Sequence, residues 1–83
     1  MTALAHRVLA FAAAREIIGG ADCTVSLPNG ATVADLREVL VTAYPALGEL
    51  SDFAIARNEE YALPDEVLAP GDELVIIPPV AGG

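Results

Sequence analysis

Thr32-Val33-Ala34-Asp35-Leu36-Arg37-Glu38-Val39-Leu40-Val41-Thr42-Ala43-Tyr44-Pro45 carries the clearest helix signal in this sequence of 83 residues. Its place between strand-like segments sets the architecture. The Thr32 hydroxyl is positioned to accept a hydrogen bond from the amide of Asp35, in a variant of the capping box with Asp in place of Glu. Val33, Leu36, Leu40, Ala43, Tyr44 and Leu47 recur at helical spacing and share one face. Pro45 disfavours helical backbone at the residue before it, so the helix ends near Tyr44. Tyr44 and Leu47 read as residues that close a core rather than bind a ligand.

Upstream of this helix, residues 7–14 (Arg-Val-Leu-Ala-Phe-Ala-Ala-Ala) form an apolar run and read as a first strand. Arg15-Glu16-Ile17-Ile18-Gly19-Gly20 reads as a short helical turn closed by glycine. Cys23-Thr24-Val25-Ser26-Leu27 alternates apolar and polar at period two, the pattern of a half-buried strand. Pro28-Asn29-Gly30 then makes a turn. Downstream, Phe53-Ala54-Ile55-Ala56 reads as a third strand, Asn58-Glu59-Glu60 as a turn and Tyr61-Ala62 as a short return strand. Leu63-Pro64-Asp65 and Pro70-Gly71-Asp72 supply further turns. Glu73-Leu74-Val75-Ile76-Ile77 is the last strand, stopped by Pro78 and Pro79. The order is strand, strand, helix, strand, short strand, strand. That order specifies an α+β domain of the β-grasp, or ubiquitin-like, type: a mixed sheet with one main helix packed on one face. The first two strands pair antiparallel, and the last lies parallel beside the first. Residues 1–79 form the domain and 80–83 an extended tail.

Composition narrows the function. The length suits one domain near the lower limit for a single hydrophobic core, and 54% apolar residues argue against disorder. Twelve acidic residues face four arginines and no lysine, for a net charge of −8. Such a chain repels phosphate backbones, which excludes nucleic acid as a partner. It favours partners with basic surfaces, although the same acids also serve simply to keep a small apolar domain in solution. Cys23 is the sole cysteine, so no internal disulfide forms, and one Cys with one His makes no ordinary zinc site. No cleavable leader or membrane-length apolar run stands out. A cytoplasmic protein is expected, with no membrane partner, no metal and no cofactor bound by the chain itself.

Two features remain as functional candidates. One helix covers one face of the sheet, and the pleat assigns the other. If Arg7 and Glu73 point outward, then Leu9, Phe11, Val75 and Ile77 share the uncovered face, with Tyr61 near its rim. Val8, Ala10, Leu74 and Ile76 then face the helix. An apolar cluster of this kind marks a protein interface, unless a loop covers it as a satellite core. The second feature is the tail. Pro78 and Pro79 favour an extended path off the last strand. Gly82 and Gly83 have no Cβ, so the chain end can enter a narrow channel with its carboxylate open to activation. Glycine-ended tails are often only frayed ends; the signal gains weight here because it closes a β-grasp pattern. Cys23 falls in phase with Val25 and Leu27 and reads as a core thiol. His6 lies in an N-terminal stretch read as loose, with no visible catalytic partner.

Three segments resemble the ubiquitin-like sulfur-carrier family, and within it the small subunits of molybdopterin synthase. Phe11-Ala12-Ala13-Ala14-Arg15-Glu16 is similar to that family's first-strand exit, and Ala56-Arg57-Asn58 to its turn before the short strand. Leu68-Ala69-Pro70-Gly71-Asp72-Glu73 followed by Pro78-Pro79-Val80-Ala81-Gly82-Gly83 is similar to its last strand and terminus. The resemblance implies that a ubiquitin-activating-type adenylyltransferase uses ATP to adenylate Gly83, and that sulfur then replaces one terminal oxygen. It implies that the tail enters the large subunit of molybdopterin synthase, whose own residues are catalytic, and gives sulfur to cyclic pyranopterin monophosphate. Partner contacts would fall on Phe11, Tyr61, Val75 and Ile77 and on Pro78, Pro79, Val80 and Ala81. Tyr61 and Ile77 differ in type from the residues common at those positions.

The alternatives are a carrier of the same chemistry for thiamin thiazole or cysteine synthesis, and a ubiquitin-like protein modifier. Thiamin carriers are typically shorter and lack the Arg15-Glu16 segment. An acyl carrier would need an attachment serine at a helix start, which Leu50-Ser51-Asp52 does not supply. An enzyme in its own right would need an acid–base pair or a phosphate-binding glycine loop, and neither is present.

Overall fold

The computed structural model describes residues 3–50 and 53–78. Ser51 and the tail residues Pro79, Val80, Ala81, Gly82 and Gly83 lie outside the described residues. The elements are β1 (Ala3–Ala10), α1 (Ala12–Ile18), β2 (Asp22–Pro28), α2 (Val33–Ala43), a 3-10 turn (Pro45–Glu49), β3 (Ala54–Arg57), β4 (Glu60–Tyr61) and β5 (Leu74–Ile77). The five strands form one sheet in the order β2-β1-β5-β3-β4. β1 pairs antiparallel with β2 and parallel with β5. β5 pairs antiparallel with β3, and β3 with β4. This is the β-grasp arrangement expected from the element order.

The helix α2 forms as its caps dictate. Asp35 N–H donates to Thr32 Oγ1 at 3.3 Å, and Thr32 N–H donates back to Asp35 Oδ2 at 2.9 Å. The next orphan amides of the first turn find carbonyls of the long connection before β5: Val33 N–H donates to Glu66 O and Ala34 N–H to Pro64 O, both at 2.9 Å. Leu36 and Leu40 are fully buried against Val8, Leu74 and Ile76 of the central strands, with Leu47 and Phe53 closing the end. Each such side chain contributes about 1.5–3 kcal/mol by leaving water. Ala43, expected on the core face, is exposed, and Tyr44 is half-buried. The chain turns at Pro45, and it is Leu47 in the 3-10 turn that reaches the core.

The N-terminal reading needs correction. The first strand covers Ala3–Ala10, not residues 7–14. Ala12 takes left-handed backbone at φ 52° and swings the chain out of the sheet. Ala12, Ala13 and Ala14 then begin α1, because alanine is the best helix former and Arg15 and Glu16 extend the run. Gly19, at φ 79°, ends it with its N–H on Arg15 O. The earlier strand start also moves His6. It is not in a loose end but sits inside β1, opposite Val25, with only 3% of its surface exposed.

A polar knot holds the β3–β4 and β5 ends together. Asp72 accepts from Arg57 Nε at 2.6 Å, from Asn58 Nδ2 at 3.0 Å and from Ala69 N–H at 2.8 Å. Arg57 Nη1 also donates to Glu66 Oε1 at 3.1 Å, and Glu66 Oε2 accepts from Leu63 N–H. Asn58, left-handed at φ 52°, exchanges two bonds with Glu73: its N–H donates to Glu73 O, and its Oδ1 accepts from Glu73 N–H. Burial pushes the Asp72 carboxyl up, but the Ala69 amide, the Arg57 guanidinium and the Asn58 amide outweigh it and hold it at about 2. A carboxyl lowered on folding stabilises the fold fully above its unfolded value of about 3.9, and that contribution disappears as pH falls toward the folded value. Urea midpoints should therefore fall from pH 5 toward pH 2, and Asp72→Asn should lower the midpoint at pH 5 while flattening that fall. Equal slopes for the two chains would refute the role given to Asp72.

Candidate functional site

The face of the sheet away from α2 carries a single row of side chains across four strands. Leu9 of β1 stands beside Val75 of β5, Val75 beside Ala56 of β3, and Ala56 beside Tyr61 of β4. The row exists because each partner is in register and because alternate residues share a face. Ile77, beside Ala54, extends it one step along β5. Phe11 follows β1 with extended backbone (φ −128°, ψ 158°), so strand alternation persists for one residue past the strand and keeps its ring on the side of Leu9. These residues, with Glu59 and Glu73 at one end, line a shallow groove.

Phe11 is 58% exposed and Tyr61 72%, whereas Leu9, Val75 and Ile77 are half-buried and Ala56 is buried at 7%. The centre is thus flat and apolar, with two aromatic rings standing at its ends. Such rings are the common anchors of protein interfaces. The apolar row stops at β1. Over β2 the same face turns polar, with Thr24 and Ser26 exposed and the Arg7 guanidinium donating to Asp22. That exposed pair adds little stability, but it marks the border of the apolar area.

The structure brings Phe11, Tyr61, Val75 and Ile77 together, as the pleat implied, and places Pro78, half-buried, directly after Ile77 where the chain leaves the sheet. Gly82, Gly83, Pro79, Val80 and Ala81 lie outside the described residues. Two members of the groove were not read from the sequence. Ala56 is small enough to pass as filler, though its alternation with Ile55 points it to this face. Glu59 is brought to the rim by its left-handed backbone at φ 72°. The thiol of Cys23 lies on the opposite, helix side, packed against the core. Burial pushes this thiol up, the Tyr44 hydroxyl opposes and the Asp22 charge adds to it; a raised thiol is a poor nucleophile. Among the described residues, no three His, Cys, Asp or Glu side chains are grouped to hold a metal. No helix among them is long and apolar enough to cross a membrane.

Comparison with known proteins adds to this geometry. The ThiS family profile matches residues 8–83, which includes the whole tail. The molybdopterin synthase sulfur carrier subunit of Arabidopsis thaliana is 42% identical over 93% of this chain and 81% of that protein. Small archaeal modifier protein 1 of Haloferax volcanii is 42% identical over 88% of this chain and 94% of its own, and its crystal structure superposes with a TM-score of 0.81. A chain of the complex of subunits 1 and 2 of molybdopterin-converting factor from Helicobacter pylori 26695 matches with a TM-score of 0.66 and 25% identity, covering 96% of this chain and all of that one.

The exposure differences make a test of the face itself. Phe11→Asp and Tyr61→Asp should each shift unfolding free energy by no more than about 0.5 kcal/mol, whereas Ala56→Asp should destabilise strongly by burying a charge. Urea titrations of the three variants check this; a Phe11→Asp chain as unstable as Ala56→Asp would mean that Phe11 is a core residue.

Proposed function

The chain belongs to the ThiS family of ubiquitin-like sulfur carriers, and from this we propose that it carries sulfur as a thiocarboxylate on Gly83 and donates it to cyclic pyranopterin monophosphate in molybdopterin synthesis. The observation that carries the reading is the family match through the tail, joined to an apolar sheet face beside the strand that leads into that tail. The 42% identity to a sulfur carrier subunit of molybdopterin synthase supports this pathway over the other sulfur-carrier pathways.

The chemistry proceeds at one carbon. A Gly83 carboxylate oxygen attacks the α-phosphorus of ATP in an adenylyltransferase of the ubiquitin-activating type, and pyrophosphate leaves. Hydrosulfide then attacks the acyl carbon, AMP leaves, and a thiocarboxylate remains. Residues 80–83 act as the tail, with Val80 and Ala81 spanning the distance and the two glycines entering the channel that a Cβ would block. Leu9, Phe11, Tyr61, Val75 and Ile77 dock the domain on the large subunit of the synthase, whose residues perform the transfer. The Glu59 and Glu73 carboxylates at the groove rim favour basic residues around that contact. Both partner enzymes and the carrier act in the cytoplasm.

A second reading has its own support. The similarity to small archaeal modifier protein 1 fits a role in which Gly83 is joined to lysines of target proteins. Because this chain has no lysine, such conjugates would be single additions rather than chains built on itself through lysine.

Co-expression with the activating enzyme should yield a carrier whose intact mass reports one oxygen replaced by sulfur, localised to Gly83 in the tail peptide. Deleting Gly83 should abolish that form and all sulfur donation while leaving the urea midpoint unchanged. Phe11→Asp should weaken association with the large subunit without unfolding the monomer. Recovery of lysine-linked conjugates in place of the thiocarboxylate would decide for the modifier reading, and sulfur donation by the truncated chain would defeat the thiocarboxylate reading.

A further inference from the structure

The sheet has a second unoccupied feature, on the other side of the molecule from the apolar row. Among the described residues β2 is an edge strand of seven residues, paired only with β1. The hydrogen bond from Ala10 N–H to Ala21 O fixes the phase of that ladder. In an antiparallel pair the backbone groups of alternate residues point toward and away from the neighbour. Residues 23, 25 and 27 therefore bond to β1, and the N–H and C=O groups of Asp22, Thr24 and Ser26 point outward.

Beside this edge runs a groove between β2 and α2. Its floor is Leu27 with Val39 and Ala43 of α2, and Asp35 and Glu38 stand on its rim. Cys23, Val25 and Val39 are only half-buried, although α2 packs beside β2, so the apolar seam between them stays partly open on the edge side. Edge strands of soluble proteins are normally blunted by lysine, proline or a covering loop. Here Pro28 blunts one end, and among the described residues nothing of that kind protects Thr24, Val25 or Ser26.

We propose that this edge is a second docking site that takes an extended segment of a partner protein, with alternating apolar residues flanked by lysine or arginine, as a sixth strand. The backbone groups of Thr24 and Ser26 would supply the ladder, and the segment's inward side chains would fill the groove over Val39 and Ala43. Charge selects the occupant. Asp35 already serves the cap of α2, whereas Glu38 has no ion-pair partner among the described residues. With a net charge of −8 the chain attracts a basic segment and repels a second copy of itself. The site lies opposite the Phe11–Tyr61 face, so both partners bind at once. This inference does not depend on the sulfur-carrier reading.

The test is a titration of the 15N-labelled full chain with the synthetic peptide acetyl-Lys-Val-Thr-Ile-Val-Arg-amide. Amide shifts should appear at Thr24, Ser26, Val39 and Ala43 and leave Phe11 and Tyr61 unmoved. Glu38→Arg should weaken binding about tenfold by replacing attraction with repulsion. Ser26→Pro removes one outward donor without touching the ladder to β1; it should abolish binding while the urea midpoint is retained. The proposal is overturned if no shifts arise along β2, or if they fall on the Phe11–Tyr61 face. It also fails if a peptide flanked by Asp binds equally well, or if the free chain dimerises through β2.

Discussion

The Asp72 carboxylate is the constraint on which the working surface depends. It stands just before β5 and is held by the side chains of Arg57 and Asn58 at the end of β3. Two residues later β5 must lie between β1 and β3, parallel to one and antiparallel to the other. No short turn can set that placement, because the connection from β4 to β5 is long and irregular. The knot sets it instead: three donors on one carboxylate fix where β5 starts, and Asn58 locks Glu73 to the β3–β4 turn from both sides. The same connection gives two carbonyls to the first turn of α2. One polar cluster thus anchors the central strand, the small hairpin and, through Glu66, the start of the helix.

From that placement the apolar face follows. A slip of one residue in β5 would turn Val75 and Ile77 toward the helix and push Leu74 and Ile76 outward. The row Leu9, Val75, Ala56 and Tyr61 exists only in the observed register. Stability and recognition share their origin here, since the alternation that buries one set of β5 side chains presents the other. The two faces also divide labour: the helix side holds the buried Leu and Ile residues, and the open side is nearly free of ionisable groups at its centre.

Much of this was legible in the sequence. The capping box of Thr32 and Asp35, the stop at Pro45 and the alternation in 23–27 and 73–77 report local physics, and local physics decided those elements. Phe11, Val75 and Ile77 were assigned to the right face from the pleat. The alanine run after Phe11 was misread, because a short apolar stretch fits a buried strand as well as a helix and periodicity cannot separate them. His6 went astray with it. The knot around Asp72 was invisible because Arg57 and Asp72 are 15 residues apart along the chain, and in sequence Pro70-Gly71-Asp72 is simply a turn. Glu59 joined the groove through the left-handed backbone of the β3–β4 turn, a feature its residue type does not announce, while Ala56 reached it by strand alternation and was passed over because it is small.

The parallel pairing of β1 with β5 has a consequence for biogenesis. The first strand synthesised needs the last one as its neighbour, and β5 is the central strand of the sheet. While the ribosome still holds Leu74 to Ile77, β1 and β3 each have a bare edge, and the core lacks Leu74 and Ile76. Non-local closure of this kind is slow, and it cannot be completed on a chain that lacks β5. A prematurely terminated product would therefore remain open to proteases and would lack the row of Leu9, Val75, Ala56 and Tyr61. The order of strands thus means that only a polypeptide made through β5 can fill the gap between β1 and β3.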